Sequence, residues 1–278
     1  MIPRFERPGS VAEAAQLLAA GGGSLLAGGT DFYPAHVRRP VAWPLIDLSR
    51  VAGLRGIGRS EGGWEIGATT TWTDVIRADL PPLFDGLATA ARKVGGVQIQ
   101  NAGTVAGNVC NASPAADGIP VLLALDAEVE LYSTAGRRRL PLAGFVLGSR
   151  CTARRDDELV VALHVPARSG RARSVFLKLG GRRYLVISIT MVAATIDFDD
   201  TGRVTKAAVA VGSCSAVAIR LAALEARLVG VERLRLVEAV EAGDLAPLAP
   251  LDDVRGSAVY RLEATLVLLR RALAALAA

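Results

Sequence analysis

The sequence predicts an α+β protein in two parts: a mixed helix-and-strand part over residues 1–170, and a part over 171–278 in which an antiparallel sheet is backed by helices. Three observations predict it. From Ser10 to Asp31 the chain reads as helix, glycine stop, short apolar strand and glycine loop, which is a small α/β unit that delivers a loop at a strand end. The segment Pro166-Ala-Arg-Ser-Gly-Arg-Ala-Arg173 marks the sharpest shift in composition. Beyond it, apolar segments at 186–198 and 204–211 are joined by Asp199-Asp200-Thr201-Gly202, a hairpin turn, and helical patterns follow to the end. The first part divides again, at about 1–55 and 56–170.

Each element has a local reason. Ser10-Val-Ala-Glu13 has the spacing of a capping box, and the alanines and leucines after it favour helix until Gly21-Gly22-Gly23. Ser24–Ala27, Pro44–Leu48 and Trp64–Gly67 read as short buried strands, and a helix capped near Thr71 or Thr73 follows the last. A longer helix is expected from Pro81 to Val94, then an irregular loop from Gly95 to Ser113. Ser113-Pro114 has the pattern of N-cap and first position for a helix through Ala124. Glu128–Tyr132 and Arg138–Pro141 predict a hairpin about Thr134–Gly136, and Leu159–Val165 is a strongly apolar strand. In the second part, strands are expected at 175–179, 186–198 and 204–211, and helices at 216–228, 234–242 and from Asp253 onward.

Composition removes several classes of function. The formal charge is +5, and arginine supplies nearly all the positive side, with lysine only at 93, 178 and 206. The arginines are scattered rather than gathered with aromatics on one face, which argues against nucleic-acid binding. No apolar run approaches the roughly 20 residues of a membrane helix, and the N-terminus lacks the apolar core of a secretion signal, so a cytoplasmic protein is expected. Cys110, Cys151 and Cys214 are too widely spaced for a zinc or iron–sulfur site, and neither His36 nor His164 has a candidate ligand beside it, so no metal is expected on this chain. There is no nucleophile elbow, no defensible pair of acid and base carboxylates, and neither of the common dinucleotide or P-loop fingerprints.

What remains is a pair of glycine-bearing segments, Ala27-Gly-Gly-Thr-Asp31 and the run from Gly95 to Asp117. Small residues let the backbone approach a ligand and turn many N–H donors toward it, as a phosphate-bearing cofactor requires. A chain poor in catalytic side chains but rich in such loops suits a protein whose cofactor carries the chemistry.

AGGTD at 27–31, IGATTTWTDV at 66–75, and Asn101-Ala-Gly-Thr104-Val-Ala-Gly-Asn108 leading to Ser113-Pro-Ala-Ala-Asp117 together resemble the FAD-binding medium subunit of the molybdenum hydroxylases. That family includes carbon monoxide dehydrogenase medium subunits and xanthine dehydrogenase FAD-binding subunits. The resemblance spans essentially the whole chain and implies a two-part FAD-binding domain of the vanillyl-alcohol-oxidase/PCMH type, followed by the C-terminal domain that opens at Phe176-Leu-Lys178.

The resemblance implies roles at matching positions. Ala27, Gly28, Gly29, Thr30 and Asp31 would wrap the FAD pyrophosphate, through backbone N–H groups and the Thr30 hydroxyl, and Leu26 before them would also belong to the cofactor site. A carboxylate beside a pyrophosphate is repelled, so Asp31 is expected to brace the loop. Thr104, Gly107 and Asn108 would form the other half of the cradle, with Ser113 at its end and Asp117 holding a polar part of the sugar–phosphate chain. Where the family often has glycine, this chain has Ala106. Lys178 would stand near the isoalloxazine and stabilise negative charge on the reduced ring, or be an ordinary solvated strand lysine; Tyr184 would gate or stack against the ring. Trp43, Trp64 and Trp72 are read as packing residues, and Asn108 and Asn111 could equally be turn formers.

The implied protein is an FAD-binding oxidoreductase subunit. It would take electrons from the [2Fe-2S] clusters of a small subunit, fed by a large molybdopterin subunit, and pass them to NAD, quinone or oxygen, in a dimer of heterotrimers. The alternatives are a self-sufficient flavin oxidoreductase of related fold and a scaffold subunit that has lost flavin.

Overall fold

The computed structural model describes residues 4–38, 40–41 and 43–278; Met1–Pro3, part of the N-terminal segment read above for a secretion signal, lie outside them. Ser10 starts the first helix, Val11–Ala19, by accepting a hydrogen bond from Glu13 N–H at 3.2 Å. The other half of the expected box differs, since the Glu13 carboxylate accepts from Gly9 N–H, at 2.7 Å. Gly22 and Gly23 stop the helix at positive φ, and the strand Ser24–Leu26 leads out. That strand lies at the edge of a parallel sheet in the order Phe5–Glu6, Leu45–Asp47, Ser24–Leu26. Ala14, Ala15, Leu18 and Ile46 pack with Leu159 and Val161 of the next sheet, so apolar burial seats the first fifty or so residues on the rest.

Five antiparallel strands make the second sheet, in the order Ile57–Ser60, Gly63–Gly67, Leu159–Pro166, Glu128–Ser133, Gly136–Pro141. The central strand, Leu159–Pro166, is buried on both faces, which accounts for its unbroken apolar run. One face meets the helices Trp72–Arg77, Asp85–Ala91, Val105–Asn111 and Gly118–Ala124 in the main core, where Trp72 is only 1% exposed.

The third sheet is antiparallel, in the order Arg173–Leu179, Thr190–Phe198, Val204–Gly212, Ile219–Arg220. Alternation along its strands sends residues two ways. Phe176, Met191, Ala193, Ala208 and Ala210 join the main core, whereas Val192, Ala194, Ile196, Val209 and Val211 face the helix Ala258–Ala277 in a core of their own. Charged groups knot the sheets together. The Arg168 guanidinium, 3% exposed, donates to Asp126 and Asp197 at 2.6 Å each, and Asp126 also pairs with Arg220 at 2.7 Å and Lys206 at 2.8 Å.

Several local expectations give way to tertiary context. The run from Gly95 to Asp117 is not an open loop: it holds the helices Val97–Ala102 and Val105–Asn111. Between them, Trp72 N–H donates to Gly103 O at 3.1 Å and Val105 N–H to Thr70 O at 2.9 Å, so a neighbouring segment fixes what local propensity does not. Ser113 is not the cap of the next helix. Gly118–Ala124 begins after Asp117, and the Ser113 hydroxyl accepts from Ala115 N–H at 3.3 Å within a turn. The helix expected over 81–94 is a 3-10 turn, Pro82–Phe84, followed by Asp85–Ala91. The strand expected from Val186 starts at Thr190. Ile219–Arg220 pairs with Ala210 and Val211, which delays the next helix to Ala222–Leu228. The helical pattern at 234–242 is a 3-10 stretch, Arg233–Ala239, and the last helix begins at Ala258 behind the Ser257 cap.

Candidate functional site

The two glycine segments meet backbone to backbone. A Cβ placed on Gly28 would overlap the Ala102 carbonyl oxygen, stand 2.6 Å from its carbon and lie 3.0 Å from Gly103 Cα. Only glycine permits this approach. Gly29 has φ +71°, and a Cβ there would strike the Tyr33 ring at 2.7 Å. A Cβ on Gly103 would lie 3.3 Å from Thr30 Oγ1, so the Thr30 hydroxyl sits at the seam of the two segments.

The second segment is ordered by its own side chains. Thr104 pairs with Thr71 in an isolated bridge, and its Oγ1 accepts from Gly107 N–H at 3.0 Å, capping Val105–Asn111. A Cβ on Gly107 would come within 2.7 Å of that hydroxyl, so glycine here protects the cap. Asn108 Oδ1 is buried and has no hydrogen-bond partner among the described residues. Such an atom costs free energy unless a ligand or water supplies a donor.

A cleft of about 550 Å³ opens where the segments meet, within the usual range for a cofactor site. Of the residues singled out in the sequence, Ala27, Gly28, Gly29, Thr30, Asp31, Thr104, Gly107 and Asn108 line it. Leu26 lies beneath, buried in its strand. Asp31 is exposed, and its carboxylate makes no hydrogen bond among the described residues, so it does not brace the loop in the expected way. Instead the backbone does, through Tyr33 N–H to Gly29 O at 3.1 Å and Ala35 N–H to Asp31 O at 3.2 Å.

Ser113, Asp117, Lys178 and Tyr184 stand outside the lining of that cleft. Lys178 is not solvated: its Nζ donates to Asp117 Oδ2 at 2.6 Å, with both side chains 7% exposed, and Ser188 Oγ donates to Asp117 Oδ1 at 2.8 Å. Burial pushes the Asp117 carboxyl above its ordinary value, and Lys178 and Ser188 oppose that rise. One carboxylate from the first part thus gathers two residues from the third sheet and its connection. Tyr184 is exposed, with Lys93 Nζ 5.4 Å and the Arg183 guanidinium 5.1 Å from its ring centroid. Leu185 from the same connection reaches Gly96, where an added Cβ would meet it at 3.2 Å.

Sequence reasoning missed part of the cleft wall. Trp72, read as packing, is core and lining at once, and Trp64 packs edge-on to Phe84 with centroids 5.3 Å apart. Phe32 and His36 also line the cleft, stacked at 4.2 Å, with His36 Nδ1 2.8 Å from the Phe32 carbonyl oxygen. Cys110 lines it too, and burial pushes its thiol up to about 11, against the opposing charge of Arg154. Arg150, Thr152 and Arg154 complete the wall from a hairpin whose strands, of three and two residues, are too short to leave a periodic signal, and from the turn after it. Among the described residues no cluster of His, Cys, Asp and Glu could hold a metal, and no helix is long and apolar enough to cross a membrane.

Comparison with known proteins follows the same lines. Residues 3–168 match the family described as the FAD binding domain in molybdopterin dehydrogenase, and residues 175–276 the CO dehydrogenase flavoprotein C-terminal domain. The carbon monoxide dehydrogenase medium chain of Hydrogenophaga pseudoflava is 32% identical over 285 residues, covering 98% of this chain and 96% of that one. The xanthine dehydrogenase FAD-binding subunit of Escherichia coli O157:H7 is 31% identical over 264 residues, covering 93% and 90%. Among solved structures, a chain of the Hydrogenophaga pseudoflava carbon monoxide dehydrogenase superposes with a TM-score of 0.86 at 30% identity, covering 98% of this chain and 97% of that one. A chain of quinoline 2-oxidoreductase from Pseudomonas putida 86 gives 0.87 at 25% identity, covering 100% and 97%.

Proposed function

This chain belongs to the family of FAD-binding subunits of molybdopterin dehydrogenases, and we propose that it holds FAD in the cleft between the Leu26–Asp31 and Thr104–Asn108 segments. The observation that carries the reading is the backbone contact of Gly28 with Ala102 and Gly103, which brings both segments to one cleft at a distance no side chain would allow. The residues present fit the cofactor. Gly28 and Gly29 bring main chain to the cleft, Thr30 offers a hydroxyl at the seam, and Thr104, Gly107 and Asn108 line it from the capped helix.

When bound, FAD would supply the exchange between one-electron and two-electron transfer that links a cluster to a soluble acceptor. The protein's own task is then positional. Thr104 holds its helix by capping, Trp72 fills the floor, and Asp117 fixes Lys178 and Ser188 at one place. We assign residues 1–170 to cofactor binding and 171–278 to a second domain whose Lys178 is delivered to the first by Asp117.

The reading extends to an assembly. Electrons would come from a small [2Fe-2S] subunit, reduced by a large molybdopterin subunit, in a cytoplasmic dimer of heterotrimers, and leave to NAD, quinone or oxygen. The relatives named a medium chain and an FAD-binding subunit support this division of labour. The visible absorption spectrum of the purified full-length chain tests the cofactor: flavin bands that persist through gel filtration are expected, and their absence after FAD addition would overturn the assignment. Co-purification with a cysteine-rich and a molybdopterin-binding subunit tests the assembly.

A further inference from the structure

We propose that Arg150 and Arg154 form a cationic clamp in the wall of this cleft, and that its ligand is the anionic diphosphate of the dinucleotide. The proposal rests on the assignment of FAD to this cleft.

The geometry begins with the hairpin of strands Val146–Gly148 and Cys151–Thr152, in which Gly148 pairs with Cys151 across the two-residue tip Ser149–Arg150. The chain then bends at Ala153, and the residues on either side of the bend reach the cleft. Arg150, Thr152 and Arg154 all line the cleft, whereas Ala153 packs against the main core and donates its N–H to Phe145 O at 2.8 Å. Arg150 has φ +57°, a conformation that glycine or asparagine would adopt with less strain at a hairpin tip. An arginine at such a position, lining a cleft, points to a use of its side chain.

The charges point the same way. Neighbouring Arg137 and Arg139 pair with Glu130, and Arg138 pairs with Glu158. Arg150 and Arg154 have no carboxylate partner among the described residues. Arg154 is half-buried and anchored by one nitrogen, its Nη1 donating to Arg155 O at 2.9 Å and Glu158 O at 2.7 Å. Arg138 Nη2 donates to Ala153 O at 2.8 Å and so fixes the residue before it. This anchoring leaves the rest of the Arg154 guanidinium for the cleft. Asp31 is the one carboxylate among the described residues lining the cleft, and His36 and Cys110 are its other titratable groups. Two unpaired guanidiniums in such a wall suit a phosphate, to which arginine binds through a planar fork of donors.

The test measures dissociation constants of FAD, ADP and riboflavin for the full-length flavin-stripped chain and for Arg150→Met, Arg154→Met and the two lysine variants. Loss of one charge-assisted hydrogen bond corresponds to roughly tenfold to hundredfold. Each methionine variant is therefore expected to weaken FAD and ADP by that factor and leave riboflavin unchanged, with lysine restoring part of the loss. Steepness against salt should also fall, because a charge contact has gone. Unchanged FAD and ADP binding in both methionine variants, where the parent chain binds FAD, would overturn the clamp and leave the cofactor assignment standing. An equal loss for riboflavin would overturn it as well, since riboflavin carries no phosphate. A parent chain that binds no FAD would overturn both. Arg150 is exposed, so its variant reports on binding even if Arg154→Met lowers stability.

Discussion

Replacing Gly28 by alanine adds one methyl group at the tightest of the described glycine contacts. The new Cβ would stand 2.6 Å from the Ala102 carbonyl carbon and overlap its oxygen, whereas carbon atoms at ease lie about 3.5–4.0 Å apart. The segments must separate by about 1 Å, and no rotamer change can absorb it because the obstacle is backbone. Ala102 cannot retreat freely either, since Gly103 O accepts from Trp72 N–H and Gly103 N–H donates to Ile99 O at 2.7 Å. Overpacking of this kind costs about 1–3 kcal/mol, and at roughly 2–4 °C per kcal/mol the melting temperature should fall by several degrees. FAD affinity should fall further, because a displaced loop no longer presents its N–H groups together. The control is Gly144→Ala, at a helical glycine whose Cβ would meet nothing within 4 Å; it should be neutral or slightly stabilising. Calorimetric melting and FAD titration measure both. A Gly28→Ala protein that melts and binds FAD like the parent would refute the close-contact argument.

Two further outcomes follow from the charges. Lys178→Met leaves the Asp117 carboxylate buried without its cation and should cost about 3–5 kcal/mol, read by denaturant unfolding. The double variant with Asp117→Asn should recover most of that loss; if it does not, the pair is not what holds the sheet to the first part. Glu158 is held below its ordinary value near 4.5, chiefly by the hydrogen bond from Arg138. The stability it contributes is therefore complete above that value and is lost as pH falls through the lower folded value. Glu158→Gln should flatten the acid limb of melting temperature against pH, and an unchanged limb would show that other carboxylates set it.

Much of the site could be read from the chain, for a definite reason. Glycines that permit contact are written in the sequence, so Gly28, Gly29 and Gly107 announced themselves, and the Asp199–Gly202 turn did too, with Gly202 at φ +78°. Elements held by partners far along the chain could not be read. The helices inside Gly95–Asp117 depend on Thr70 and Trp72, and the pairing of Lys178 with Asp117 spans 61 residues. The cleft placement of Arg150 and Arg154 could not be read because the strands of the 146–152 hairpin are too short for a period, and it depends on Phe145 and Arg138. The shortening of the strand expected from Val186 has the same origin. Ile189 N–H returns to Leu179 O at 2.8 Å, closing the connection before the ladder begins.

That connection has a consequence for how this protein can be altered. Lys178 at one end and Ser188 at the other are both tied to Asp117, so the nine residues between them form a loop whose base is closed whatever its tip contains. Lengthening a loop with a fixed base costs only the logarithm of its length. Residues 180–187 can therefore be exchanged, extended or trimmed while Lys178 and Ser188 stay fixed on Asp117. In a protein whose glycine seam tolerates almost no change, this is the place where variation is cheap.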